Sequence, residues 1–394
     1  MKITISKAVI LSLVLIITAC KSTEFSEMTL KASEKQLVSL RSISIKENKI
    51  PRTIEKDGKV RWVSDDYDWT KGFWPGVCWM QYENTLDPKW KEAAELNQKI
   101  FLADKDLTND HDLGFLFNNS YGKAYKITKD PKYRQVLIDA SNSLITRFNK
   151  NVGCIQSWDL VDNWQSKKGW SFPVIIDNMM NLEMLFEATL LTGDTKYKEI
   201  AITHANTTMK NHFRPDGSSY HVIDYNPKTG SVINKITAQG YADESAWARG
   251  QAWGLYSFTM CYRYTKDKKY LDFAEKIAEY ILNNPNYPSD GVPYWDFNAP
   301  NIPNAPRDAS SGAILASGLI ELSSYTNDKY LKQATHILKS LATDAYTAKL
   351  GENGHFVLKN SVGSLPMGNE VSVPLNYADY YYIEALLGLK KRGI

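Results

Sequence analysis

The chain has 394 residues, of which 43% are hydrophobic, enough apolar material for one large core or two smaller ones. A formal net charge of +3, without a clustered stripe of Lys and Arg, argues against a nucleic-acid partner. The 11 Trp and 23 Tyr residues suit surfaces that stack on sugar rings, although composition alone favours ordinary packing.

The N-terminus has the pattern of an export signal. Lys2 and Lys7 supply positive charge, and the apolar run over residues 8–17 is too short to cross a bilayer comfortably. The segment Ile17-Thr18-Ala19-Cys20 is similar to a bacterial lipobox, in which Cys20 is acylated and becomes the mature N-terminus. We expect residues 1–20 to be a lipoprotein signal peptide and the mature protein to be exported and membrane-anchored, on the periplasmic side or at the cell surface. A plain cleaved signal peptide is the alternative.

The remaining cysteines do not form a motif. Cys78, Cys154 and Cys261 are an odd, widely spaced set without a CxxC pair, which predicts buried thiols. The sequence contains no metal-binding cluster, phosphate-binding glycine loop or Ser-His-Asp arrangement that stands out. We therefore predict neither a metal nor a cofactor.

A short repeat organises the rest of the chain. Each copy follows one helix-like segment and begins another, with its Asp near the N-cap position, where a carboxylate accepts from free backbone amides. The full copies are Thr85-Leu86-Asp87-Pro88-Lys89-Trp90, Thr128-Lys129-Asp130-Pro131-Lys132-Tyr133, Thr192-Gly193-Asp194-Thr195-Lys196-Tyr197 and Thr265-Lys266-Asp267-Lys268-Lys269-Tyr270, and a copy shortened by one residue between Asp and Tyr is Thr326-Asn327-Asp328-Lys329-Tyr330.

Helical spacing of apolar residues on both sides of the repeat predicts twelve helices. Charged, amphipathic helices alternate with helices richer in small and aromatic residues, which is the pattern of an outer ring around a buried inner ring. In chain order, outer before inner, the pairs are 24–46 and 73–84, 88–103 and 112–127, 131–148 and 175–191, 195–212 and 245–264, 268–283 and 310–325, and 328–343 and 377–390. We predict an all-α fold, a single (α/α)6-barrel domain over residues 21–394; an open helical solenoid is the alternative.

The connections predict where the site lies. Inner helices lead to outer ones through the tight repeat, whereas the return connections are long and hold much of the Gly, Pro and Trp: 47–72, 149–174, 213–244, 284–309 and 344–376. Long loops at one end of a rigid scaffold usually build the site. That end carries the N-termini of the inner helices, where free amides favour anionic ligands.

Two acidic residues stand where inner helices begin. Asp112 opens the second inner helix, and Asp177 opens the third between Ile176 and Met179. An apolar setting raises the pKa of a carboxyl toward general-acid use, while a helix N-terminus lowers it, so the net shift is undecided. Each Asp taken alone fits an N-cap; two on adjacent inner helices favour catalysis.

The fourth inner helix offers a receptor for a carboxylate. Arg249 and Trp253 are four residues apart and share a helix face, and a guanidinium beside an indole suits a sugar acid. The alternative is that Arg249 pairs with Asp243 or Glu244. His221 lies on the preceding loop, where a lone His is more often structural.

At these positions the chain resembles glycoside hydrolase family 88, the unsaturated glucuronyl hydrolases. The matching segments run in order over nearly the whole mature chain: Asp68-Trp69-Thr70-Lys71-Gly72-Phe73-Trp74-Pro75-Gly76, His111-Asp112-Leu113-Gly114-Phe115, Asp177-Asn178-Met179-Met180-Asn181-Leu182, the segment from Gln239 to Trp253, and Asp379-Tyr380-Tyr381-Tyr382-Ile383-Glu384-Ala385. The family has an (α/α)6 barrel, in agreement with the repeat.

The resemblance implies a reaction and its residues. Asp177 would be the general acid and base and Asp112 the second required carboxylate, acting on a terminal uronic acid whose C4=C5 double bond a polysaccharide lyase has left. Protonation at C4, addition of water at C5 and opening of the hemiketal release the aglycone. The same likeness assigns sugar contacts to His221, Thr237, Gln239, Arg249 and Trp253, with Trp69 and Trp158 as walls.

One segment departs from the family pattern. Members acting on sulfated glycosaminoglycans are thought to bind sulfate through Ser-x-x-Ser-x-Lys, and here Ser361 and Ser364 are followed by Pro366 at the Lys position. Glycosaminoglycan and ulvan fragments both stay open as substrates. The alternatives are an unsaturated rhamnogalacturonyl hydrolase, a sugar epimerase, which the few His residues disfavour, and a lipid-anchored glycan-binding protein without activity.

Overall fold

The computed structural model describes residues 7–161 and 163–394, with side chains from residue 25 onward. The helices are α1 Lys7–Glu47, α2 Phe73–Thr85, α3 Pro88–Gln98, α4 Lys123–Thr128, α5 Pro131–Ile145, α6 Asn178–Thr192, α7 Lys196–Asn211, α8 Ala248–Thr265, α9 Lys268–Leu282, α10 Ala309–Ser323, α11 Leu331–Leu341 and α12 Asn376–Lys391. A 3-10 segment, Lys99–Asp106, follows α3, and a π-helical segment, Gly114–Gly122, leads into α4.

The even-numbered helices form a closed ring. Each packs on the next, α4 together with its π-helical segment, and α12 returns to pack on α2. The odd-numbered helices lie outside this ring, where α1 packs on both α12 and α3. An open solenoid would leave its first and last inner helices apart, so the (α/α)6 barrel is confirmed.

The Thr-x-Asp repeat is a helix–turn–helix joint made by three hydrogen bonds. At Thr265, Oγ1 donates to the Cys261 carbonyl at 2.7 Å and accepts from the Asp267 amide at 3.2 Å. Asp267 Oδ1 then accepts from the Lys269 amide at 3.1 Å and caps α9. The middle residue, Lys266, is left-handed with φ 56°. The other three full copies repeat these bonds.

The shortened copy at 326–328 is not a capping turn. Both Asn327 and Asp328 have positive φ, and α11 starts later than predicted, at Leu331, without a side-chain cap. The Asp328 carboxylate pairs with Arg392 instead. Deleting one residue from the turn moves the Asp out of capping register.

The long connections hold small antiparallel sheets that the helical prediction missed. They are β1 Ile50–Ile54 with β2 Val60–Val63, β3 Phe148–Asn149 with β4 Cys154–Ile155, β5 Pro173–Ile175 with β6 Val222–Tyr225 and β7 Val232–Ile236, and β8 Ser361–Ser364 with β9 Asn369–Val373. The third inner helix, predicted from 175, begins at Asn178 because residues 173–175 pair with β6.

Within the described part of the chain, no helix is long and apolar enough to cross a membrane. The predicted leader ends at Cys20, whose side chain lies outside the described residues. Cys78, Cys154 and Cys261 are buried free thiols, as predicted.

Candidate active site

A cavity opens at the barrel end where the inner helices begin. It encloses about 810 Å³ free of protein atoms, its open mouth included. First-turn or preceding residues of five inner helices line it: Trp69, Asp112, Phe115, Asp177, Arg249 and Tyr377. The long loops supply the other walls, so the cavity forms only when all these elements assemble.

Asp177 precedes α6 without capping it. Its side chain makes no capping hydrogen bond, and it is 8% exposed on the cavity wall. Its Oδ2 lies 3.6 Å from Nε2 of His221, the residue just before β6. Pairing of β5 with β6 brings these two residues together across 44 positions of sequence.

The backbone sets the tautomer of His221. Its Nδ1 accepts from the amides of Ala238 and Gln239, at 3.0 and 3.1 Å. A nitrogen that accepts carries no proton, so the proton of the neutral ring is on Nε2, which faces the Asp177 carboxylate.

Asp112 reaches the same cavity from the neighbouring inner helix. Its Oδ1 lies 3.5 Å from Nδ2 of Asn181, whose Oδ1 accepts from the Phe115 amide at 3.0 Å. Gly114 permits this contact, since a Cβ there would lie 2.5 Å from the Asn181 Cα atom. Asn181 lies one turn beyond Asp177 on α6. It therefore connects the helix that follows Asp177 to the segment that carries Asp112.

The surroundings of Asp112 favour its protonated form. Burial raises the pKa of Asp112 well above its usual range, and the negative charges of Asp110 and Asp177 raise it further. Burial lowers the pKa of the adjacent His111 to about 4, so this ring is neutral near pH 7. The cavity thus holds a carboxyl that favours keeping its proton beside a second carboxyl.

Arg249 is committed to the barrel wall. Its NH1 binds the Val362 carbonyl and lies 3.3 Å from Asp308 Oδ2, and its NH2 donates to the Gly363 carbonyl at 2.7 Å. Its guanidinium lies over Trp247, 4.5 Å from the ring centroid. The pairing with Asp243 or Glu244 and the placement of Trp253 beside this cation were both wrong. Asp308 and two carbonyls of β8 hold the guanidinium, although Arg249 still lines the cavity.

Aromatic rings form two of the cavity walls. Trp69 packs on Phe115 and Tyr377, with centroids 5.3 and 5.2 Å apart. On the opposite loop, Trp158 stacks on Trp170 at 5.7 Å and 17°. Flat apolar faces beside carboxylates are the composition of a sugar-binding cleft.

Comparison with known proteins identifies the family. The sequence model of the family Glycosyl Hydrolase Family 88 matches residues 45–388 of this chain. The chain belongs to glycosyl hydrolase family 88. It is therefore a glycosidase.

Other proteins of this family are similar to the chain in sequence and in structure. An unsaturated glucuronyl hydrolase of Formosa agariphila is 46% identical over 341 residues, 86% of this chain and 84% of the relative. One from Bacillus sp. is 35% identical over 351 residues, 86% and 90% of the two chains. The crystal structure of an unsaturated glucuronyl hydrolase specific for heparin has a TM-score of 0.88 at 45% identity, covering 94% of this chain and 98% of that one.

Of the other sugar contacts suggested by the family resemblance, some line the cavity and others do not. Gln239 and Ser364 line the cavity. Thr237 holds a turn instead, where Oγ1 accepts from the Gly240 amide at 2.8 Å. Trp253 is fully buried against Phe115 and Tyr381, a turn below Arg249. Ser361 is fully buried in β8. The structure brings Trp69, Asp112, Trp158, Asp177, Gln239, Arg249 and Ser364 to the cavity, with His221 directly behind Asp177.

Sequence reasoning missed an ionic wall of the same cavity. Arg52 on β1 pairs with Asp68 and with Glu370, each at 3.1 Å, and both Arg52 and Glu370 line the cavity. Tyr377 lies near Arg52, 5.9 Å from ring centroid to guanidinium carbon. These residues sit on short strands and the following helix, so only strand pairing in the predicted loops would have located them.

One group of residues has donors of the kind a cation needs. Asp110, His111 and Asp112 each offer an atom within 4.8 Å of the others. Oδ1 of Asp110 accepts from the Asp112 amide at 2.9 Å, and Nδ1 of His111 lies 3.4 Å from Nδ2 of Asn181.

Proposed function

We propose that this glycosidase releases a Δ4,5-unsaturated uronic acid from the non-reducing end of lyase-generated oligosaccharides. The observation that carries the proposal is the pair Asp112 and Asp177 on one cavity wall, supported by neighbouring inner helices through Asn181. Names of the relatives support the same substrate class.

The chemistry requires one proton donor and one acceptor, with no covalent intermediate on the protein. Asp177 donates a proton to C4, and the positive charge that develops is shared between C5 and the ring oxygen. Water adds at C5 and gives its proton back to the carboxylate. The hemiketal opens to a ketone at C5, which leaves a hemiacetal at C1. This hemiacetal breaks down to an aldehyde and releases the aglycone as an alcohol.

The geometry supports Asp177 as the group that cycles. Its side chain makes no helix-capping hydrogen bond, and the N–H of His221, with its nitrogen 3.6 Å from Oδ2, faces the carboxylate once Asp177 has given up its proton. Asp112, whose pKa is raised, keeps a second proton in the cavity near the reacting ring. A group that gives and then retrieves a proton meets both requirements of the reaction.

Loss of the conjugated double bond gives a direct assay. Purified protein is incubated with lyase digests of chondroitin, hyaluronan, heparin, ulvan and rhamnogalacturonan, and the absorbance of the C4=C5 bond is followed. We expect wild-type turnover of a glycosaminoglycan or ulvan digest. Asp177→Asn and Asp112→Asn should each lose roughly 10²- to 10⁴-fold in kcat, the range of general acid–base catalysis.

A matched control uses an exposed acid on the same side of the barrel. The Glu244 side chain is 79% exposed, and its carboxylate forms an ion pair with Arg214 at 3.4 Å. The Glu244→Gln variant should therefore keep wild-type activity. Turnover by Asp177→Asn near the wild-type rate would remove Asp177 from the mechanism. An absence of turnover on every digest would favour a glycan-binding protein without activity.

We also propose that the mature protein is exported and anchored through acylated Cys20. The lipobox-like segment 17–20 after a short apolar run supports this placement. In a bacterial host, wild type should partition with membranes and Cys20→Ser should appear in the soluble exported fraction. Equal partitioning of both would reject the anchor.

A further inference from the structure

The outer helix α1 differs from the other outer helices in the face that it shows to solvent. Its side chains Met28, Val38 and Ile43 are 63%, 37% and 36% exposed. Among the described residues, no large hydrophobic side chain on α3, α5, α7, α9 or α11 reaches the exposure of any of these three. Single exposed apolar residues are common, but three on one helix, where five comparable helices have none, have the composition of a contact surface.

A groove runs beside this face of α1. It lies between α1 and the connection that follows α11, and it encloses about 810 Å³, open solvent included. Met28 and Ala32 line it from α1, and Ala348 and Leu350 line it from the connection, where Leu350 is 72% exposed. Gln36, which also lines the groove, accepts from a backbone amide of the connection at 3.0 Å. The two walls are therefore fixed relative to each other. We call the groove and the three exposed residues of α1 the α1 surface.

The start of α1 lies at the end of the barrel opposite the catalytic cavity. Ser26 Oγ donates to the carbonyl of Ile394, which follows the C-terminal end of α12, at 3.2 Å. The inner helices end there, whereas the cavity opens where they begin. Cys20, the proposed acylation site, precedes Met28 by eight residues of the same helix, about 12 Å at the rise of an α-helix. The anchor would thus hold the α1 surface close to lipid.

The charged residues that border the α1 surface suit phospholipid headgroups. Lys339 reaches α1, with its Nζ 5.8 Å from the Phe25 ring centroid. Exposed lysines outnumber exposed acids along this border: the lysines are Lys31, Lys35, Lys339 and Lys349, and the acids are Glu27, Asp344 and Glu352. Exposed apolar residues with lysines beside them are typical of helices that lie at the interface between bilayer and water.

We propose that the α1 surface rests on the bilayer to which acylated Cys20 holds the chain. This inference rests on the anchor proposed above and is independent of the reaction. Met28, Val38 and Leu350 contact the headgroups and the outermost part of the acyl chains, and α1 lies along the membrane. The bilayer is favoured over a protein partner because the anchor already holds this face near lipid. The cavity mouth, at the far end of the barrel, stays open to soluble oligosaccharides.

Fluorescent labels on the anchored full chain test this contact. Cys78, Cys154 and Cys261 are buried, so a Cys introduced at position 28, 38 or 350 takes an NBD label selectively once Cys20 is acylated. The protein is reconstituted in vesicles of phosphatidylethanolamine and phosphatidylglycerol that contain brominated lipid. Labels at these three positions should shift to shorter emission wavelength and be quenched. A label at position 190, where Leu190 is 70% exposed on α6, should emit as it does in water.

Charge substitution determines whether the contact depends on the apolar side chains. Met28→Glu combined with Leu350→Glu should return the label at position 38 to aqueous emission, while the protein stays in the membrane fraction through Cys20. Leu190→Glu combined with Ile233→Glu adds the same charge at other exposed residues and should leave that label quenched. Both double variants should turn over substrate like wild type, because none of these residues lines the catalytic cavity.

The possible failures can be told apart. Aqueous emission from positions 28, 38 and 350 in membrane-bound protein would overturn the inference and leave the anchor and the hydrolase activity intact. Quenching at position 190 as strong as at position 28 would also overturn it, because the contact would not be confined to the α1 surface. Wild type that does not partition with vesicles would overturn the anchor and this inference together, whereas turnover of unsaturated substrates is measured separately.

Discussion

His221 shows how a single side chain acquires its role from the backbone around it. Two amides of the loop before α8 donate to its Nδ1, which leaves the Nε2 proton for Asp177. Neither relation is visible in the tripeptide Tyr220-His221-Val222, where the residue looks like a solvated or structural His. Its orientation depends on strand pairing and on the loop at 238–239.

Removal of His221 is expected to slow the reaction without unfolding the barrel. His221→Ala removes the ring nitrogen that lies 3.6 Å from Asp177 Oδ2, a polar contact longer than a hydrogen bond, so the loss should be about 1 kcal/mol, or roughly 5-fold in kcat. Steady-state kinetics and thermal melting measure both consequences. His336→Ala, on the exposed side of α11, is the control. A His221→Ala variant with wild-type kcat would contradict this role.

Asp379 is a second buried carboxyl, away from the two acids. It is 2% exposed, and its oxygens accept from the amides of Val357 and Leu358 at 2.9 and 2.8 Å. Burial raises the pKa of this carboxyl to about 7, against the opposing effect of the two amides. The folded protein therefore holds a proton that the unfolded chain loses.

This residue predicts a pH dependence of stability. The contribution of protonated Asp379 to the free energy of unfolding is fully present below about pH 4. It is lost as the pH rises toward 7, by roughly 4 kcal/mol at most, because the pKa of Asp379 is about 3 units higher in the folded protein than in the unfolded chain. Asp379→Asn cannot ionise, so its free energy of unfolding should fall less than that of wild type between pH 5 and 8. Denaturant titrations at both pH values measure this, with exposed Asp344→Asn as control. Parallel pH dependence in wild type and Asp379→Asn would contradict it.

Among the elements, the Thr-x-Asp joint explains why the barrel can be read from sequence. Each full copy carries, within three residues, a left-handed residue that ends one helix and an Asp that accepts from a first-turn amide of the next. Local bonds of this kind depend little on the rest of the fold, so the pattern predicts helix ends well. The shortened copy failed because one missing residue breaks the register.

Capping energy is accessible to mutation. Asp267→Ala removes the acceptor for the Lys269 amide and should lower the free energy of unfolding by about 1 kcal/mol. Asp272→Ala, in the same helix, removes only an exposed ion pair with Lys268 and should cost less than about 0.5 kcal/mol. Chemical denaturation measures the free energy of unfolding of both variants. Equal losses in the two variants would show that the N-cap contributes nothing beyond its charge.

At the scale of the whole molecule, the outer helix α1 joins the start of the chain to its C-terminal part. On α1, Leu37 and Leu40 are fully buried, and Gln36 Nε2 donates to the carbonyls of Glu352 and Phe356 at 2.9 and 3.1 Å. The contact joins residues more than 300 positions apart. The outer helix α1 is therefore held against the C-terminal part of the chain, which includes the last inner helix, α12.

Truncation separates the leader from the barrel. A variant lacking residues 1–24 should melt and turn over substrate like wild type. Removal of residues 1–46 exposes the apolar surface that α1 covers on α12 and α3, so cooperative unfolding should be lost. Circular dichroism melts report the difference. A cooperative melt after the longer deletion would show that the barrel closes without α1.

The sequence by itself determined the alternation of helices, the end of the fold that carries the cavity, and the positions of Asp112 and Asp177 where inner helices begin, and it favoured an (α/α)6 barrel over an open solenoid. These follow from local rules, namely apolar periodicity, capping and loop length, which act within a few residues. Only the tertiary structure decided that Arg249 clamps β8, that His221 faces Asp177, and that Arg52 and Glu370 complete the wall. Such relations join loop residues far apart in sequence through strand pairing and buried charge, and no local pattern encodes which distant partner a side chain meets.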